Sequence, residues 1–388
     1  MSVTAPKGFR AAGVVAGIKS TGRPDVALVV NDGPSAAAAA VFTSNRCIAN
    51  PVIWSKQVIA DGTVSAVVIN SGGANCYTGA FGFQTTHATA EAVGEALSIG
   101  AGDVIVCSTG LIGVGDQAFR DKVIAGARDA ATRLGDSEQA GADASEAILT
   151  TDTVAKRAVR ASPAGWTIGG MAKGAGMLAP GLATMLVVIT TDADLESDAL
   201  DRALRAATRV TFDRVDSDGC MSTNDTVALM ASGASGVAAD EAEFAALLTE
   251  VCAELAKMLQ QDAEGAAHDI SITAVNARTE QDAEDVARAV SRSNLFKAAV
   301  FGKDPNWGRV LAAAGTTEAE FDPQALDVTM NGVMVCRAGT PHEPADRVDL
   351  SGREVEVVID LHAGEASATI LTNDLTHDYV HENSAYSS

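Results

Sequence analysis

The sequence predicts a mixed α/β (α+β) protein, with one large domain followed by a smaller one. Short apolar runs bounded by Gly, Asn or Asp alternate with amphipathic stretches of helical period through the first half. A chain of 388 residues is too long for one small core. A hydrophobic fraction of 47% is ordinary for a chain that folds throughout.

In chain order, strands are predicted over 26–31, 38–43 and 65–70, and a helix over 87–98. A short buried strand over 104–107 runs into the turn Ser108-Thr109-Gly110. Residues 117–134 and 140–149 have helical spacing. A strand is predicted over 185–190, a helix over 195–210 capped by Asp194, a polar loop over 213–226 and a strand over 226–231. The second half holds a long helix over 241–259, a strand over 270–277, a helix over 281–291 and a strand over 295–301. Further strands are expected near 326–330, 332–336, 355–360 and 366–371. Gly233, Gly236 and residues 238–240 mark a loop, so the domains are expected to divide there, into 1–235 and 236–388.

The formal net charge of −22 repels nucleic-acid phosphates and anionic membranes, which excludes those partners. The six cysteines, Cys47, Cys76, Cys107, Cys220, Cys252 and Cys336, are scattered, with no C-x-x-C pair and no Cys/His cluster. Neither structural zinc nor a disulfide framework is expected, and no metal site is assigned. The N-terminus has no apolar stretch behind a basic patch, and no run is long enough to span a bilayer. A cytoplasmic protein is the expectation.

The chemistry concentrates after residue 168. Five glycines fall within the thirteen residues 169–181, interleaved with Met171, Met177 and Leu178, which favour burial. Gly174-Ala175-Gly176-Met177-Leu178-Ala179 matches G-x-G-x-x-G/A, but Lys173 and glycines precede it and Pro180-Gly181 follows. A dinucleotide site needs a strand before and a helix after, so the match is rejected. Asp216-Ser217-Asp218-Gly219 imitates part of a calcium loop, but Arg214 would occupy the first ligand position, and a cation there opposes calcium.

Ala183-Thr184-Met185 is different. A threonine hydroxyl needs an adjacent base to act as nucleophile. His87, His268, His342, His362, His377 and His381 all stand in ordinary contexts, read as surface or capping residues. Thr184 could instead use its own α-amine, whose pKa of about 7.7–8.0 suits a general base. That requires cleavage between Ala183 and Thr184.

At these residues the chain resembles the ornithine acetyltransferases, also called the bifunctional glutamate N-acetyltransferases of arginine biosynthesis. Lys173-Gly174-Ala175-Gly176-Met177-Leu178-Ala179-Pro180 followed by Ala183-Thr184-Met185-Leu186 is similar to the family's self-cleavage signature. Asn31-Asp32-Gly33, Val41-Phe42-Thr43-Ser44-Asn45, Asn70-Ser71-Gly72-Gly73-Ala74-Asn75 and Cys107-Ser108-Thr109-Gly110-Leu111-Ile112-Gly113 fit in order. So do Thr150-Thr151-Asp152-Thr153, Ser222-Thr223-Asn224-Asp225, Asp304-Pro305-Asn306-Trp307-Gly308-Arg309 and the tail 383–388. Gly73 and the pair His381-Glu382 depart from the family pattern.

The resemblance implies a layered αββα core of the self-processing N-terminal-nucleophile kind, with a smaller C-terminal α/β domain. It implies Thr184 as nucleophile, and Thr109 with Gly110 as the oxyanion hole. Thr150, Lys173, Thr184, Glu264, Asn383 and Ser388 are implied to bind substrate: Lys173 suits a carboxylate, Glu264 an ammonium group. Two mature pieces, 1–183 and 184–388, are expected to stay together and to associate further, as a heterotetramer with two of each. The implied reaction carries an acetyl group from N-acetylornithine to glutamate through acetyl-Thr184. No cofactor is expected, and the sequence leaves open whether acetyl-CoA also serves as donor. A related N-terminal-nucleophile aminopeptidase or amidase is the alternative reading.

Overall fold

The computed structural model describes residues 2–178 and 185–385. Strands and helices are numbered here in chain order. One sheet joins β1 (Phe9–Val14), β2 (Val26–Asn31), β4 (Ala66–Gly73) and β5 (Val104–Leu111), in the order β1-β2-β4-β5. A second joins β3 (Ala38–Phe42), β6 (Lys156–Ala161), β7 (Thr167–Lys173), β8 (Leu186–Thr191) and β9 (Thr226–Ala231), in the order β3-β9-β8-β7-β6.

Strand periodicity stacks these two sheets. Successive side chains point to opposite faces, so Val67 and Ile69 of β4 pack between the sheets with Leu186 and Val188 of β8. Ala66 and Val68 face the other way, onto α2 (Gly79–Leu97) and α3 (Gln117–Thr132). Val187 and Ile189 face α5 (Ser197–Val210) and α6 (Glu241–Gln261). The result is helix, sheet, sheet, helix: the αββα layering. Each fully buried Val, Leu or Ile contributes roughly 1.5–3 kcal/mol. Near-continuous apolar strands such as β8 can serve only where both faces are covered. The shorter helices α1 (Asn50–Val58) and α4 (Glu138–Ala147) pack against β5 and β1.

A third sheet, in the order β13-β12-β11-β14-β10-β15, holds β10 (Asp269–Ala277), β11 (Asp327–Met330), β12 (Val333–Arg337), β13 (Thr340–Pro341), β14 (Glu354–Asp360) and β15 (Ala366–Asn373). It shares its own apolar core with α7 (Glu280–Ser291), α8 (Asn294–Phe301) and α9 (Trp307–Ala314). The chain ends on α10 (His377–Ala385).

Several sequence expectations are corrected. The strand expected over 295–301 is α8. Its apolar run is short enough to suit either period, but the Ser293 hydroxyl accepts the Phe296 N–H and starts a helix that buries Phe296, Ala299 and Val300. Asp194 does not cap α5, whose N-cap is Glu196 without a side-chain hydrogen bond; Asp194 bridges instead to Ala238. The first half of the glycine-rich stretch is the interior strand β7. A Cβ at Gly169 would stand 2.2 Å from the Ser2 carbonyl oxygen, so glycine serves close approach there. His268 is buried, its Nδ1 2.7 Å from Asp374 Oδ2. α6 packs on the second sheet, so the apolar core it shares reaches Ala263, and the core of the third sheet begins at Ile270.

Candidate active site

The site is built where strands of the two stacked sheets end. In β5 the parallel register sets Thr109 beside Ser71 and Gly110 beside Gly72. Gly110 has φ of +121°, and a Cβ on it would lie 2.6 Å from the Gly72 carbonyl carbon, so only glycine fits. Thr109, one residue before, is buried.

Lys173 ends β7 and is 1% exposed. Its Nζ donates to Thr150 Oγ1 at 2.7 Å and to Thr109 Oγ1 at 3.3 Å. Thr109, Thr150 and Lys173, far apart in sequence, therefore meet. Asp152 sits beneath them: its Oδ2 is 3.8 Å from Lys173 Nζ and accepts the Thr150 N–H, while Oδ1 accepts Lys156 Nζ at 2.7 Å and the Gly174 N–H at 2.6 Å. Lys156 Nζ also donates to Asp262 Oδ2 at 2.6 Å. Two lysines and two aspartates thus alternate in a buried chain of balanced charge.

Burial alone would raise the Asp152 carboxyl. Attraction to Lys173 and Lys156, with hydrogen bonds from Lys156 and Gly174, instead holds it down to about 2. Burial draws the Lys173 ammonium below the usual lysine range, against the pull of Asp152. The aspartate is the firmly ionised member, and its charge opposes the loss of the lysine proton.

A second group lies along the same segment. Glu264, just past α6, donates its N–H to the Ala175 carbonyl at 2.9 Å, and its carboxylate rests against Gly176. Asn383 Nδ2 on α10 donates to Glu264 Oε2 at 3.1 Å, so the tail returns to the site. Asp262, Glu264, Phe301, Arg353, His377 and Glu382 line a cavity of about 700 Å³ beside it. An acidic wall of this kind suits an ammonium group.

Ala183, Thr184 and Ser388 lie outside the described residues. The described chain resumes at Met185, whose N–H donates to Asp225 Oδ1 at 3.2 Å and whose carbonyl accepts the Thr226 N–H. Burial pushes the Asp225 carboxyl well above the usual range. On the other side, the Leu178 carbonyl accepts the Ser217 N–H at 2.6 Å and the Met177 N–H donates to Asp218 at 2.7 Å. The would-be calcium loop is thus engaged elsewhere: Asp218 holds the glycine segment, and Asp216 pairs with Arg288 and Arg292.

Sequence reading missed Asp152, Lys156, Asp225 and Asp262 as site residues. The motifs around Thr150 and Asn224 contained two of them, but nothing in the sequence says that a carboxylate will be buried beside a lysine from another strand.

The ArgJ family matches the chain over residues 10–388. The chain is 62% identical over 388 residues to the arginine biosynthesis bifunctional protein ArgJ of Streptomyces coelicolor, covering all of both chains. It is 59% identical to the protein of the same name from Thermobifida fusca, again over the whole of each. Among solved structures, the ornithine acetyltransferase of Mycobacterium tuberculosis complexed with ornithine is 51% identical. That match covers 48% of this chain and 96% of the other, with a TM-score of 0.45.

Proposed function

The chain belongs to the ArgJ family, and on that premise we propose that it transfers an acetyl group from N-acetylornithine to glutamate through acetyl-Thr184, in arginine biosynthesis. The convergence of Thr109, Thr150 and Lys173 beside the segment that leads toward Thr184 is the observation that carries the reading.

The chain first cuts itself between Ala183 and Thr184, which frees the Thr184 amine. That amine takes the proton of the Thr184 hydroxyl as the oxygen attacks the acetyl carbonyl of N-acetylornithine. Thr109 and the Gly110 N–H stabilise the oxyanion of the tetrahedral intermediate. The proton passes to the departing nitrogen, and ornithine leaves. The amine of glutamate then attacks acetyl-Thr184, and collapse releases N-acetylglutamate. Thr150, Lys173, Glu264, Asn383 and Ser388 hold the substrates, with Glu264 and its acidic cavity taking the ornithine ammonium. The cycle needs no cofactor; acetyl-CoA is a candidate second donor for the same hydroxyl. The expected setting is the cytoplasm, and two copies of each piece are the expected assembly.

Thr184→Ala should remain one uncut polypeptide without transferase activity, while the wild type runs as two pieces on a denaturing gel. An active full-length wild-type chain would refute the reading. Acetyl appearing on glutamate rather than as free acetate separates transfer from the aminopeptidase or amidase alternative.

A further inference from the structure

We propose that Asp225 takes the Thr184 hydroxyl proton when the chain cuts itself and returns it to the Thr184 nitrogen as the bond to Ala183 breaks. The proposal rests on the reading that cutting occurs between Ala183 and Thr184, and it supplies a group that this reading needs. The freed amine is the base for acetyl transfer. Before the cut the same nitrogen is an amide, with its lone pair delocalised into the carbonyl. A threonine hydroxyl needs a base to act as nucleophile, so the cut draws on another group.

Asp225 stands just before β9, which pairs in parallel with β8, Leu186 beside Thr226. Its Oδ1 accepts the Met185 N–H at 3.2 Å. The Met185 nitrogen is bonded to the Thr184 carbonyl carbon, so this carboxyl is one peptide unit from the nucleophile. The preceding residue, Asn224, donates through Nδ2 to the Ser108 carbonyl at 2.8 Å and to the Ala74 carbonyl at 2.7 Å. Asn224 and Asp225 therefore tie the strand that carries Thr109 and Gly110 to the start of β8. Asp225 is 1% exposed, and its Oδ2 has no hydrogen-bond partner among the described residues. The neighbouring Thr43 hydroxyl turns to the Ser222 carbonyl, at 2.8 Å. A buried carboxyl oxygen left unpaired is costly and calls for a functional reason. Other carboxylates on this segment are engaged. Asp218 accepts the Met177 N–H with one oxygen and the Cys220 N–H with the other. Glu264 accepts from Asn383 and lines the acidic cavity.

Burial makes the Asp225 carboxylate more basic, while the Ser222 hydroxyl, the Met185 N–H, Lys173 and the Thr43 hydroxyl favour its ionised form. Cys107 of β5, against Thr226, is pushed up to about 12 by burial and titrates in a different range. Cutting happens once per molecule, so a base that is ionised in part of the population suffices. In the first step the Thr184 oxygen bonds to the Ala183 carbonyl carbon as its proton passes to Asp225 Oδ2. The carbon–nitrogen bond then breaks, and its electron pair takes that proton back from Asp225. An ester of Ala183 on the Thr184 oxygen and a free Thr184 amine result. Water hydrolyses the ester to the Ala183 carboxylate and the Thr184 hydroxyl, and Asp225 is regenerated.

The test is the rate of cutting, followed on denaturing gels for full-length chains pulse-labelled in cell-free translation. Asp225→Asn keeps an oxygen for the Met185 N–H and removes the proton acceptor, so cutting should slow by roughly 100-fold or more. Wild-type cutting should slow as pH falls from about 9 to about 5, because a protonated carboxyl accepts no proton. Asp225→Asn should lack that dependence. Cutting by Asp225→Asn within about threefold of the wild type would overturn the proposal and leave Asp225 only a holder of the Met185 N–H. A wild-type rate that is flat across that pH range would overturn it too. If Asp225→Asn does not fold, Asp225→Glu decides. Its carboxyl has a different pKa, so the pH midpoint of cutting should move, and an unmoved midpoint overturns the proposal. A wild type that never cuts defeats the underlying reading as well. A wild type that cuts while Asp225→Asn keeps pace defeats this proposal only.

Discussion

Gly110 shows how one residue couples fold to chemistry. Its positive φ and its closeness to the Gly72 backbone leave no room for a side chain. Gly110→Ala must move the two strand ends apart and carry the 110 N–H with them. We expect kcat to fall by about 100-fold, the loss of one oxyanion donor, as measured by steady-state acetyl transfer. Asp152 couples charge to stability at the same scale. Its folded pKa, about 2, lies below the ordinary 3.8. The unfolded chain therefore binds its proton first as pH falls. The stabilisation is complete above about pH 5, declines through pH 4 and is gone below about pH 2, and it amounts to on the order of 2 kcal/mol. Urea midpoints measured from pH 6 to pH 2 should show this loss, and Asp152→Asn should remove that part of the slope.

At the scale of elements, α8 was decided by its cap. The apolar run after Asn294 suits a strand as well as a helix, and Ser293 settles it by satisfying the Phe296 N–H. Ser293→Ala should destabilise the protein by about 1 kcal/mol in denaturant unfolding without altering transfer kinetics. A change below about 0.3 kcal/mol would mean that packing of Phe296 and Val300 alone holds the helix. β7 teaches the reverse lesson. Its glycines suggest a loop by composition, yet they lie in a central strand because the N-terminal segment crosses close to Gly169.

At the scale of the molecule, the two expected pieces interleave in one sheet. β3, β6 and β7 come from residues before 184, and β8 and β9 from residues after it, in the order β3-β9-β8-β7-β6. Cutting before β8 removes none of its pairing with β7, which runs from Lys173–Leu186 to Ile168–Thr191. The pieces should therefore co-purify in native buffer in equal amounts and separate only when the sheet unfolds, with one cooperative transition by circular dichroism. Separation at denaturant concentrations below that transition would contradict this interleaving.

The sequence by itself determined the elements with strong period, such as β2, β8, β9 and α6, because alternation and helical spacing are local properties of side chains. It also marked Thr184, since a hydroxyl without a histidine partner needs its own amine, and the ordered motifs pointed to Thr109, Gly110, Lys173 and Glu264. Only the tertiary structure decided that Lys173 reaches Thr109 and Thr150, that Asp152 and Lys156 balance it, that Glu264 meets Asn383, and that α6 packs on the second sheet. Those facts depend on which strand ends are brought side by side and how dry their surroundings become. Pairing and burial of that kind join residues up to a hundred positions and more apart, and no local pattern encodes them.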